Sequence, residues 1–298
     1  MIWEKRWFQF TILMILAFIW GSSFILMKIG MLSFSSEQAA ALRILLASLA
    51  LLPMAIKHIN KIQRKDLVSL LIAGFIGSFI PAFLFMKAET RIDSALAGML
   101  NSLTPVFTLI VGLLFHRTAF RWMQVAGLSI GLAGATGLIL AGDGFHLGTV
   151  NSYALYIVLA TLFYAISMNQ VKAKLPHLTG VQVTSFSFLF IGPAAFIYLL
   201  TTDFAPVLVN PGWPFHLLAL ALLGIVGSAF AMLLMNSIIR YSSAVAASSV
   251  TYIIPIFAIM WGLFYGEKVT FLHMVCMGFI LAGVYLINLK GRKKTQLA

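Results

Sequence analysis

Pro105-Val-Phe-Thr-Leu-Ile-Val-Gly-Leu-Leu-Phe115 and Pro255-Ile-Phe-Ala-Ile-Met-Trp-Gly-Leu-Phe-Tyr265 align without a gap, with Pro, Phe, Gly and Leu identical at matching places. Each follows a run of small residues that opens with Ser-Ala, at Ser94-Ala95 and Ser243-Ala244, and each lies deep inside an apolar segment. A proline within a helix removes one backbone hydrogen bond and presses on the preceding turn. Hydrocarbon tolerates this only where protein or a wet cavity satisfies the freed carbonyl. Two helices are therefore expected to break at equivalent depths, at Pro105 and Pro255. Paired interruptions at corresponding places in two halves of a membrane protein point to a central binding site.

The composition around these segments agrees. Of 298 residues, 61% are apolar and only 9% charged, and the mean hydropathy is +1.01, which excludes an ordinary soluble domain. The net charge of +12 does not indicate nucleic acid. Most of the cations occupy short links between apolar segments, where they set topology. The single cysteine, Cys276, can form no intrachain disulfide. The start, Trp3-Glu-Lys-Arg-Trp7, has the charge order of a signal peptide, but the apolar run reaches Met31 without a clear cleavage pattern, so a retained first helix is expected.

A spanning helix needs about 20 mostly apolar residues. Ten segments qualify: 10-31, 38-56, 67-88, 94-115, 122-140, 149-171, 181-201, 215-238, 245-265 and 271-289. Of the 20 cations, 15 fall on the side of the N-terminus; Lys28, Lys87, Arg91 and Lys268 fall on the other, and Arg43 lies inside a helix. The positive-inside rule then places both termini in the cytoplasm. Further matches, Ala73-Gly-Phe-Ile-Gly-Ser78 with Leu223-Gly-Ile-Val-Gly-Ser228 and Leu132-Ala-Gly134 with Leu281-Ala-Gly283, extend the repeat. The halves are 1-142 and 143-298, with five spans each. An odd number per half gives them opposite orientations, so the expected fold is an all-α polytopic membrane protein of two inverted five-helix repeats.

This order of motifs resembles the drug/metabolite transporter superfamily, in particular its ten-helix EamA-type branch. The carriers of the resemblance are Trp20-Gly-Ser-Ser-Phe24 with Lys28, Arg43 in Leu-Arg-Ile-Leu-Leu-Ala followed by Pro53, the two proline segments, and Gly266-Glu267 after the ninth helix. Ser36 stands where the family often has proline, and His116-Arg117 replaces the acidic position in the first half, against a symmetric pair of acids. The resemblance implies a secondary, ATP-independent carrier of the inner membrane that moves small metabolites, often outward, through a central cavity. No cofactor or metal is implied, and the expected assembly is a monomer or weak homodimer in the lipid bilayer.

An ionised side chain at mid-bilayer is expensive and usually functional. Arg43, about five residues into the second span, either snorkels to the outer surface or turns inward, where it would offer a carboxylate a bidentate fork. Lys87 is expected to snorkel. No Asp or Glu lies in the central part of any span. Transport is therefore expected to be facilitated, or coupled through a group near a membrane face such as Glu89, Asp93 or Glu267. Asn101 and Tyr252 stand about one turn before the two prolines and are candidate ligand contacts, with Trp20, Tyr164 and Asn236. Ser22, Ser23 and Asn169 are secondary candidates. Hydrogen bonding between helices is the alternative for each. The histidines lie in links or near span ends and no hydrolase motif is present, which disfavours an intramembrane enzyme; paired broken helices favour alternating access over a channel. Amino acids or related metabolites are the expected cargo, with hydrophobic cations second.

Overall fold

The computed structural model describes residues 2–116, 122–141, 152–242 and 244–288. Eight of its helices are long and apolar enough to cross a bilayer, and two shorter apolar helices bring the set to ten. In chain order they are α1 (Trp7–Gly30), α2 (Ser36–Lys61), α3 (Arg64–Glu89), α4 (Ser94–Phe115), α5 (Trp122–Leu140), α6 (Ser152–Lys174), α7 (Gly180–Leu200), α8 (Trp213–Tyr241), α9 (Ser249–Phe264) and α10 (Phe271–Ile287). The expected boundary between the halves, at 142 and 143, lies outside the described residues, as do Ser243 and the expected end of the last span at 289. Below, the near face is the one at which α1 begins and the far face the one at which it ends.

Several helices outlast their apolar runs. α2 continues to Lys61, beyond the expected end at 56, because hydropathy marks where a chain leaves hydrocarbon and not where its helix stops. The ninth span goes the other way. It is divided into a short helix Ala244–Ser248, a 3-10 turn Ser249–Tyr252 and a helix Ile254–Phe264. α4 is likewise split, into Ser94–Asn101 and Thr104–His116. Pro105 and Pro255 each occupy the second position of the later helix, where a missing N–H leaves no intrahelical bond unmade.

The two halves repeat one another in their contacts. Ser35 and Gln38 form a reciprocal capping box before α2, and Thr179 and Gln182 form the matching one before α7. The repeated Gly-rich stretches of α3 and α8 both wind as π-helix, over Ile72–Phe79 and Leu223–Phe230. Within them Gly224 packs on α2, where a Cβ would lie 2.7 Å from the Arg43 carbonyl oxygen. Gly74 packs on α7, where a Cβ would lie 2.9 Å from the Ser187 carbonyl oxygen. At the near face His177 meets Asp66 at 3.1 Å; at the far face His216 meets Ser33 at 2.6 Å, with histidine on the opposite partner. α5 and α10 lie against each other backbone to backbone, Gly127 facing the carbonyl of Gly283 and Gly283 that of Gly127.

Candidate functional site

Between the halves lies a cavity with about 950 Å³ of atom-free space, its open mouth included. Residues from both repeats line it in corresponding pairs: Trp20 and Tyr164, Ser23 and Ser167, Gly77 and Gly227, Ser78 and Ser228. The π winding explains part of this, since a wide turn leaves a carbonyl without its usual partner. The Gly227 carbonyl is turned to α1 and accepts a hydrogen bond from Trp20 Nε1 at 2.9 Å. The Tyr164 ring stacks on Phe85 with centroids 5.9 Å apart. Four methionines, Met27, Met168, Met232 and Met235, together with Phe24, Phe85 and Phe188, make most of the remaining wall apolar, and methionine adapts to cargo of varied shape.

Arg43 turns inward. Its side chain is buried, lines the cavity, and donates from Nε to Ser228 Oγ at 2.7 Å. Its place in the other half is held by Ser187, as the matching packing of Gly224 and Gly74 shows. The cavity thus has one cationic wall and no acidic residue in its lining. Lys87 behaves as expected of a surface residue, half-exposed and 3.1 Å from Glu37.

Of the other sequence candidates, Trp20, Asn101, Tyr164, Asn236 and Ser23 line the cavity, whereas Tyr252 does not. Its neighbour Thr251 lines the cavity instead, standing four residues before Pro255 as Asn101 stands four before Pro105. Ser22 accepts from Trp261 Nε1 at 2.8 Å, and Asn169 donates to the Thr108 carbonyl at 3.0 Å, so both serve helix contacts. Asn236 also donates to Thr184 Oγ1 at 2.9 Å. Ser228, Thr104 and Ser248 line the site as well; only the repeat that ends in Ser78 and Ser228 carried a signal for any of them.

The two ends of the cavity are built differently. At the far face Lys28 Nζ meets Glu267 at 2.8 Å and Asp93 at 3.5 Å. The Glu267 carboxylate also accepts from the Ser94 N–H at 2.9 Å and the Ala95 N–H at 3.0 Å, the N-terminus of α4. Gly266, at φ 81°, makes the turn that delivers it, and Gly262 leaves room that a Cβ would fill against Glu267 Oε2. Burial alone would raise the Glu267 pKa, but the Lys28 ammonium and the two N–H donors outweigh it and hold the carboxyl below its ordinary value. At the near face the matching lysine, Lys172, donates instead to the carbonyls of Ile239 and Arg240, both at 3.0 Å. Among the described residues no three His, Cys, Asp or Glu side chains converge to hold a metal ion.

The family model for EamA-like transporters matches the chain twice, over residues 8–140 and 151–289. The chain is 23% identical over 284 residues to the probable terminal-alkyne amino-acid exporter of Streptantibioticus cattleyicolor, covering 92% of each. It is 26% identical over 286 residues to the uncharacterized inner membrane transporter YedA of Escherichia coli, covering 94% of this chain and 90% of that one. A solved crystal structure with 15% identity superposes with a TM-score of 0.68 over 95% of this chain and 97% of the other, a likeness of fold alone.

Proposed function

The chain belongs to the EamA-like transporter family, and from that premise we propose that it is a secondary, ATP-independent exporter of amino acids or related small carboxylates. It works by alternating access, one half rocking against the other around the cavity. The observation that supports this substrate class is Arg43, a buried cation in a wall without acids. A buried charge needs a partner, and a substrate carboxylate supplies one to the face of the guanidinium that Ser228 leaves free. The Met- and Phe-rich remainder suits an apolar side chain or tail. The relative from Streptantibioticus cattleyicolor, a probable amino-acid exporter by name, favours the same cargo. The cavity's apolar wall also suits a hydrophobic cation, but Arg43 opposes one by like charge. The cation distribution supports an inner-membrane setting with both termini in the cytoplasm, which reporter fusions to the C-terminus test.

Counterflow in proteoliposomes tests the cargo. Preloaded amino acids should accelerate uptake of a labelled amino acid. Arg43→Ala should lower that rate about 10- to 100-fold, the loss of a charge-assisted hydrogen bond. Arg43→Lys should fall between. Unimpaired exchange by normally inserted Arg43→Ala would rule out the anchor, and exchange of lipophilic cations alone would favour the second reading.

A further inference from the structure

Among the described residues, Glu89, the last residue of α3, is the far-face acid that the seal leaves without a hydrogen bond of good geometry. It is 4% exposed. Neither carboxylate oxygen has a hydrogen-bond partner of good geometry, and the buried Ser94 Oγ beside it is the hydroxyl placed to meet the carboxyl. Charged groups face it from several elements: Lys28 on α1, Asp93 before α4 and Glu267 after α9, and Arg43 on α2. On the outer side of α3, Lys87 is taken up by Glu37, with Tyr153 and Tyr156 of α6 beyond it. Lys28 is already engaged by Glu267 and Asp93, and Arg43, whose Nε donates to Ser228, makes no hydrogen bond to Glu89.

An ionised carboxylate buried without a hydrogen bond is among the costliest groups a protein can hold, and neutralisation by a proton relieves it. The internal repeat argues that packing does not require an acid here. The position in α8 that corresponds to Glu89 is Ile239, as Gly77 and Ser78 correspond to Gly227 and Ser228. An aliphatic side chain fills the equivalent place at the near end. The lysines correspond as well, yet among the described residues Lys28 meets acids and Lys172 meets backbone carbonyls.

We infer that Glu89 is a proton-binding switch of the far-face seal, protonated while that end is sealed. When the far end opens, Lys28 parts from Glu267, water reaches the carboxyl, and its O–H bond breaks. The proton passes to far-side water and the carboxylate left behind takes Lys28 as counter-ion. Resealing reverses each step and takes the proton back from the same far-side water, so the switch makes the seal sensitive to far-side pH without carrying a proton across. Phe85, one turn before Glu89, lines the cavity, and Arg43 in the cavity wall lies within its electrostatic reach. The protonation state is thereby felt at the site as well as at the seal. This reading rests on the carrier function proposed above.

The test reads the seal directly and needs no substrate. Spin labels at Leu32 and Lys268, in a Cys276→Ser background, report the far-face distance by electron–electron resonance in lipid between pH 5 and 9. One linked proton shifts the sealed-to-open ratio by up to about tenfold per pH unit, so the wild type should open as pH rises. Glu89→Gln, which keeps the shape but cannot ionise, should stay sealed with a flat profile, while Asp93→Asn should retain the pH dependence. Insertion and melting of Glu89→Gln matching the wild type establish that it folds. A pH-independent wild type, or a Glu89→Gln that follows the wild-type curve, would overturn the inference. In proteoliposomes Glu89→Gln, held sealed, should exchange substrate more slowly than the wild type at high pH, with the pH dependence of its rate lost. A wild type that exchanges no amino acid would defeat the substrate reading and leave the distance measurement intact.

Discussion

The Glu267 carboxylate collects three donors, the Lys28 ammonium and the N–H groups of Ser94 and Ala95. Because its pKa is depressed in the folded protein, it contributes stability at every pH above the ordinary value of 4.5, and the contribution is lost as pH falls through the lower folded value. Glu267→Gln should therefore melt at a lower temperature than the wild type at pH 7. The gap should hold down to about pH 4.5 and close only in stronger acid; a gap that closes near pH 6 would assign the effect to another group. The importance of Gly266-Glu267 was visible in the sequence, but its partners were not. Lys28 lies 239 residues away along the chain, and no local pattern states which charges meet. Arg43 shows the same limit: hydropathy located it within a span, and only packing decided that it turns inward to Ser228.

At the scale of elements, the apolar runs made all ten helices readable, and the prolines marked where two of them divide. The π-helical stretches of α3 and α8 were hidden, because an apolar Gly-rich segment has the same composition whether its bonds run four or five residues back. The repeat showed that the two stretches are alike without showing what they are. Their glycines set the approach to α2 and α7. Gly224→Ala would put a methyl group 2.7 Å from the Arg43 carbonyl oxygen, a fixed backbone atom, and should cost about 1 to 3 kcal/mol, read as a lower melting temperature in detergent. Thr179→Ala removes a helix cap and should cost about 1 kcal/mol without changing substrate affinity. The repeat also locates the cavity residue beside the second break: carried through the alignment of the two proline segments, the counterpart of Asn101 is Thr251 and not Tyr252, and Thr251 lines the cavity.

Over the whole molecule, the inverted repeat distributes similar backbone contacts to two faces and dissimilar charges to two seals. The backbone half of this was legible from the matched glycines and prolines, which need only a sequence compared with itself. The charge half depends on which residues converge, and that is a property of the folded chain. α5 and α10 stand apart from the rest. They contribute nothing to the cavity lining, and each belongs to a different half, yet their backbones meet at Gly127 and Gly283. A door hung on one jamb swings about that jamb, and this glycine seam has the position of the jamb: a pin driven through it should leave the swing free. The pin is available, because a Cβ placed on Gly137 would stand 3.8 Å from that of Cys276, the usual spacing across a disulfide. Oxidised Gly137→Cys should therefore be locked at this edge and still exchange substrate at close to the wild-type rate. If oxidation stops exchange and reduction restores it, the two halves slide along the seam during the cycle and the pivot lies elsewhere.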